Sequence, residues 1–97
     1  MKIPEKIKVG GITYDIRICD PESLELQSTT IGHIWYQKQL IAISEALKDD
    51  LKGQTLCHEL IHAISIAMGY NEGDEVKLDE SFIDAFASYL HQVIDQL

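Results

Sequence analysis

Apolar and polar residues alternate along 6–18, with Ile7, Val9, Ile12, Tyr14, Ile16 and Ile18 set against Lys6, Lys8, Thr13, Asp15 and Arg17, and Gly10-Gly11 interrupting them. A period of two belongs to a strand with one buried face, and a glycine pair suits the two-residue turns that need positive φ, so a hairpin is predicted. Asp20-Pro21-Glu22-Ser23 breaks the pattern, and 20–30 reads as a loop with one helical turn after Pro21. The apolar and aromatic stretch 31–44 has Gln37-Lys38-Gln39 at its middle and predicts a second hairpin, 31–36 with 39–43.

Beyond residue 50 the spacing changes to that of a helix. Leu56, Leu60, Ile61, Ala63, Ile64, Ile66, Ala67 and Met68 are uncharged on nearly every side, which predicts a helix packed inside the domain. Its start falls between Asp49 and Gln54, with Asp49 or Asp50 as the cap, and Gly69 stops it. Asn71-Glu72-Gly73-Asp74 reads as a loop, and a second helix carrying Glu80 runs from there to the C-terminus. Phe82, Phe86, Leu90, Val93 and Leu97 form the side of that helix opposite Glu80 and Asp84. The expected architecture is α+β: a small antiparallel sheet of two hairpins packed on the two helices, as one domain over 1–97.

The first helix also carries chemistry. His58 and His62 are four residues apart and share a helix face, so both can reach one ion at the zinc-to-nitrogen distance of about 2.0–2.1 Å. Glu59, between them, can direct a carboxylate at a water bound to the same ion. Buried imidazoles and carboxylates must be paired or bound to a metal, and an apolar helix bearing three of them needs such a partner. A third ligand is sought on another element. Glu80 and Asp84 again stand at i and i+4, so one carboxylate can ligate the ion while the other fixes the tautomer of a ligand histidine.

The run from Thr55 to Ile64 resembles the extended helix signature of zincin metallopeptidases. Glu80-x-x-x-Asp84 resembles the second motif of the gluzincin branch, which implies Glu80 as third zinc ligand and Asp84 as the partner of a ligand histidine. The small size and the run from Ile34 through the first helix look like the phage and mobile-element members of the ImmA/IrrE group. That resemblance implies a repressor-type regulator as substrate, self-association or a partner completing a shallow cleft, and an antiparallel strand beside the cleft to which the substrate backbone adds. The downstream transition-state-stabilising histidine of thermolysin-like enzymes has no evident counterpart in these residues. The resemblance is carried by residues 54–90.

Composition narrows the partners. The chain is 45% hydrophobic and 25% charged, which is ordinary for a folded protein and excludes disordered and fibrous classes. Its formal charge is -8, and after Gly53 the only lysine or arginine is Lys77, against eight acids. Direct nucleic-acid binding is not expected, because it depends on Lys and Arg neutralising phosphates. A cation or a basic peptide segment suits that half better, and Glu72, Asp74, Glu75 and Asp95 read mainly as a solvated face. Cys19 and Cys57 are too few for a disulfide framework, and Cys57 is turned about 100° from His58, which makes it a small core residue. Residues 1–6 hold no signal-like apolar stretch and no apolar run approaches about 20 residues, so a cytoplasmic protein with no membrane partner is expected.

Two further histidines compete for roles. His33, beside Trp35 on a strand, reads as a packed or surface residue. His91 shares a helical stripe with Glu80 and Asp84, but eleven residues at 1.5 Å rise place it about 16 Å beyond Glu80, and it stands as the rival third ligand. Tyr36, Tyr70, Tyr89 and His33 are all candidates for stabilising an oxyanion. Three functions remain: a zinc-dependent peptidase with Glu59 as general base, a non-catalytic zinc-binding interaction module, and an α+β domain with accidental motifs. Two His and one carboxylate leave a coordination position open, unlike closed, cysteine-rich structural sites, and this favours the peptidase.

Overall fold

The computed structural model describes residues 2–26, 30–70 and 79–97. The glycine pair makes the first turn: Gly10 and Gly11 have φ of 58° and 86°, and strand β1 (Lys6–Val9) pairs antiparallel with β2 (Ile12–Cys19). After Pro21 a short 3-10 turn covers Leu24–Leu26. The second hairpin joins β3 (Gly32–Trp35) to β4 (Leu40–Ser44), also antiparallel, through a turn in which Gln39 takes a left-handed φ of 52°.

The sheet departs from expectation where the hairpins meet. Its order is β1-β2-β4-β3, and β2 pairs parallel with β4, so the sheet is mixed rather than antiparallel. Each hairpin is specified locally by its turn; the pairing between them is set by burial. All five residues of β4, Leu40–Ser44, are buried, as befits an inner strand covered on both faces.

Helix α1 (Asp49–Ala67) lies across the sheet, and α2 (Glu80–Ile94) packs on α1. Tyr14, Ile34, Ile41, Ile43, Leu56 and Ala63 form the core between sheet and α1. Cys57 and Ile61 meet Ile83 and Ala87 in a second, smaller core between the helices. Being covered on two sides, α1 is apolar nearly all round, in agreement with its sequence. Its N-cap is Lys48, which makes no side-chain cap, so neither Asp49 nor Asp50 has the expected role; both sit in the first turn, where the dipole favours acids. In α2, Asp79 caps through its side chain, accepting from the Ser81 amide at 2.9 Å. The loop expected at 71–74 and its acids lie outside the described residues. No helix among the described residues is long and apolar enough to cross a membrane.

Gly32 positions the edge strand. A Cβ there would fall well inside contact distance of Thr55 Cγ2, and 3.5 Å from Glu59 Oε1. Thr55 is buried and β-branched, so it has little room to yield. Glycine therefore lets β3 lie directly against the motif-bearing turn of α1. We predict that Gly32→Ala lowers stability by about 1–3 kcal/mol, read as a fall in thermal midpoint; an unchanged midpoint would remove this account of the strand's approach.

Candidate metal centre

His58 and His62 project from one face of α1 toward α2, their ring centroids 5.1 Å apart. Glu80, in the first turn of α2, sets its carboxylate between them, with Oε2 at 3.3 Å from His58 Nε2 and Oε1 at 3.0 Å from His62 Nε2. Asp84, one turn further, places Oδ1 at 2.7 Å from His58 Nδ1. The four residues that sequence spacing singled out on two separate segments thus meet at one place. Contact of Cys57 and Ile61 with Ile83 and Ala87 holds the helices in the rotation that achieves it.

The donor set fits a cation. His58, His62 and Glu80 form a group that could hold a metal ion, each offering one ligand atom, all within 4.8 Å of one another. Tetrahedral ligands at about 2.0–2.1 Å from an ion stand roughly 3.3 Å apart, close to the spacings found. Hydrogen counting points the same way. A neutral imidazole has one N–H and one lone pair, and with Nδ1–H donated to Asp84, His58 turns the Nε2 lone pair toward a Glu80 oxygen. Either a proton on Nε2 or a cation between the two atoms satisfies that contact, and His58, His62 and Glu80 together could supply the ligands for a cation.

Glu59 lies between the ligand face of α1 and β3, bordering the same opening as His58, His62 and Glu80, and is buried at 6% exposure. Burial pushes its carboxyl up to about 8, and the Glu80 and Asp84 carboxylates add to the rise. A bound cation would oppose that shift, being the largest local charge.

Two openings adjoin the centre. One, of about 250 Å³, is lined by His33, Ile34 and Tyr36 together with His58, His62 and Glu80. The other, of about 360 Å³, extends along the N-terminal half of α1 past Leu51, Gln54 and Thr55, with Ile31 and Ala87 opposite. Gly32, His58 and Glu59 border both, so the edge strand β3 runs beside the candidate metal ligands. His33 is half-buried, its ring edge-on to Trp35 at 4.5 Å. Of the tyrosines, Tyr36 borders the opening, whereas Tyr89 is exposed on α2.

The rival ligand His91 is elsewhere. It is buried at the far end of the helix pair, where a Cβ on Gly53 would collide with its ring, and its Nε2 lies 3.3 Å from Asp95. Sequence spacing gave its distance along α2; the close approach of α1 at Gly53 was not evident. Cys57 is fully buried between the helices, and burial followed by the charge of Asp95 raises its thiol, which makes it a core residue as expected. Leu51 and Gln54 were not singled out from sequence as lining residues, although they lie two turns and one turn before His58.

The fold and site define a small α+β structure in which two packed helices present, beside a sheet edge, a group that could hold a metal ion. No family model matches the sequence, and no curated protein or solved structure matches it either.

Two predictions follow from this geometry. Asp84→Ala should weaken metal affinity about 10–100-fold by freeing the His58 ring, measured by competition with a chromophoric chelator; unaltered affinity would separate Asp84 from the centre. In the metal-free protein, the raised Glu59 carboxyl favours folding only while both states are protonated. Above pH about 4.5 the unfolded chain ionises first, so stability declines by about 1.4 kcal/mol per pH unit until about 8. Glu59→Gln should remove this decline, and the unfolding free energies from denaturant titrations at pH 5 and pH 8 make the comparison.

Proposed function

We propose that this chain is a zinc-dependent metallopeptidase. The observation that carries the reading is the Glu80 carboxylate set between the Nε2 atoms of His58 and His62, with Asp84 holding the opposite nitrogen of His58. Two imidazoles and one carboxylate suit zinc and leave a fourth position for water or substrate. Zinc held there supplies a bound water with a pKa near 7 and polarises the carbonyl under attack.

The chain's own residues do the remaining work. Glu59, adjoining both openings and next to the metal ligands, accepts the water proton and returns it to the leaving amine. The edge strand β3 offers backbone groups to an extended peptide, which aligns the scissile bond over the ligands. His33 and Tyr36 line the opening that the candidate ligands border, which supports them as the residues that meet the oxyanion. The resemblance to the ImmA/IrrE group supports a repressor-type regulator as the protein substrate, in the cytoplasm.

Glu59→Gln should retain about one zinc per chain and lose turnover by about 10²–10⁴-fold, measured with peptide libraries and elemental analysis on the same sample. Undiminished cleavage would sink the role of Glu59. Zinc retained with no cleavage of any peptide by the parent chain would leave a metal-dependent interaction module.

A further inference from the structure

We infer that His91 is a positioning residue for the candidate metal centre: its ring, seated on Gly53, sets how closely α1 and α2 approach at the far end of their seam, and through that where Glu80 stands. The inference rests on the reading of His58, His62 and Glu80 as metal ligands.

The two helices meet at three levels. At one end Glu80 reaches His58 and His62. In the middle Ile83 and Ala87 pack on Cys57 and Ile61. At the other end His91 meets Gly53, where a Cβ would overlap Nε2 outright and lie 2.9 Å from Cδ2 and 3.3 Å from Cε1. The tip of the ring therefore rests on the backbone of α1, and only a residue without a side chain admits it there.

Each member of this pair is unfavourable by itself. Glycine inside a helix is a weaker helix former than any residue but proline, and a buried imidazole costs more than a leucine filling the same space. Both are buried, His91 at 6% exposure. Local choices that oppose stability on two separate helices, and that meet each other, mark a place where fit is required. Asp95, one turn further along α2, stands 3.3 Å from Nε2, so enclosure and this contact hold the ring in its seat.

The middle contact makes a pivot that carries a change at this level to the ligands. From the midpoint of Ile83 and Ala87, His91 is six residues away and Glu80 five, about 9 Å and about 7.5 Å along the axis. A Cβ on Gly53 needs about 1 Å more room to reach ordinary van der Waals separation from the ring tip. Tilting α2 by that amount at His91 moves Glu80 by nearly as much in the opposite sense. Metal–ligand bonds tolerate only about 0.2 Å, so a change so far from the ligands still unseats one of them.

Zinc affinity by competition with a chromophoric chelator, at a temperature where circular dichroism shows each metal-free chain folded, tests it. Gly53→Ala should weaken zinc binding about tenfold or more, and His91→Ala, which empties the seat with no clash, should weaken it about threefold or more. The two changes together should bind zinc more tightly than Gly53→Ala alone, because removing the ring relieves the overlap; such non-additivity belongs to residues in contact. A contact with a merely structural role would lower the melting midpoint and leave the affinity of the folded chain unmoved. Either single variant binding zinc as the parent does overturns the inference, as does a double variant no better than Gly53→Ala; where Gly53→Ala does not fold, His91→Ala alone decides. A parent with no zinc affinity overturns the reading of the ligands as well, which separates that failure from this one.

Discussion

Everything at the candidate site depends on one carboxylate reaching across a helix seam to two imidazoles. Glu80 can stand between His58 and His62 only because α2 packs on α1 with Ile83 and Ala87 against Cys57 and Ile61, and that packing fixes both rotation and height. A shift of one residue along either helix would turn Glu80 by about 100° away from the imidazoles. The apolar contact and the polar cluster are therefore one constraint seen from two sides of the seam. The sheet in turn holds α1, and Gly32 brings its edge strand to the turn of α1 that bears the motif.

The same arrangement concentrates like charge. Glu59, Glu80 and Asp84 converge from two helices, and Glu59 is buried among them. Glu80 and Asp84 keep 58% and 69% of their side-chain surface open to solvent, so of the three only Glu59 bears the cost of burial. A cation at their centre would offset the mutual repulsion of carboxylates gathered beside two imidazoles, and His58, His62 and Glu80 could hold one.

Much of this was readable from the chain. The first hairpin is announced by alternation and by Gly10-Gly11, the second by an apolar and aromatic stretch interrupted at Gln37-Lys38-Gln39, and both helices by their apolar spacing; four of the residues that meet at the centre were identifiable from i, i+4 spacing alone. What was not readable is what depends on contacts between distant segments. The parallel pairing of β2 with β4 leaves no local mark, since parallel strands are joined by a crossover and not by a turn. The two apolar stripes of α2 are equally hydrophobic in sequence, and only packing reveals that Ile83 and Ala87 face inward while Phe82 and Phe86 face out. Lys48 at the N-cap of α1, where an acid was expected, shows a helix start set by burial of Leu56 and Ala63 against the sheet more than by its cap.

The parallel pairing has a kinetic meaning as well. Asp15 stands opposite Leu40, 25 residues further along the chain, whereas the hairpins close over short turns. Loop-closure entropy makes that non-local contact the slow one, and β4 is the strand over which α1 must settle. His58, His62 and Glu80, in contrast, meet through α1 and α2 alone, and the crossover supplies the sheet on which that helix pair rests and the edge strand that runs beside it.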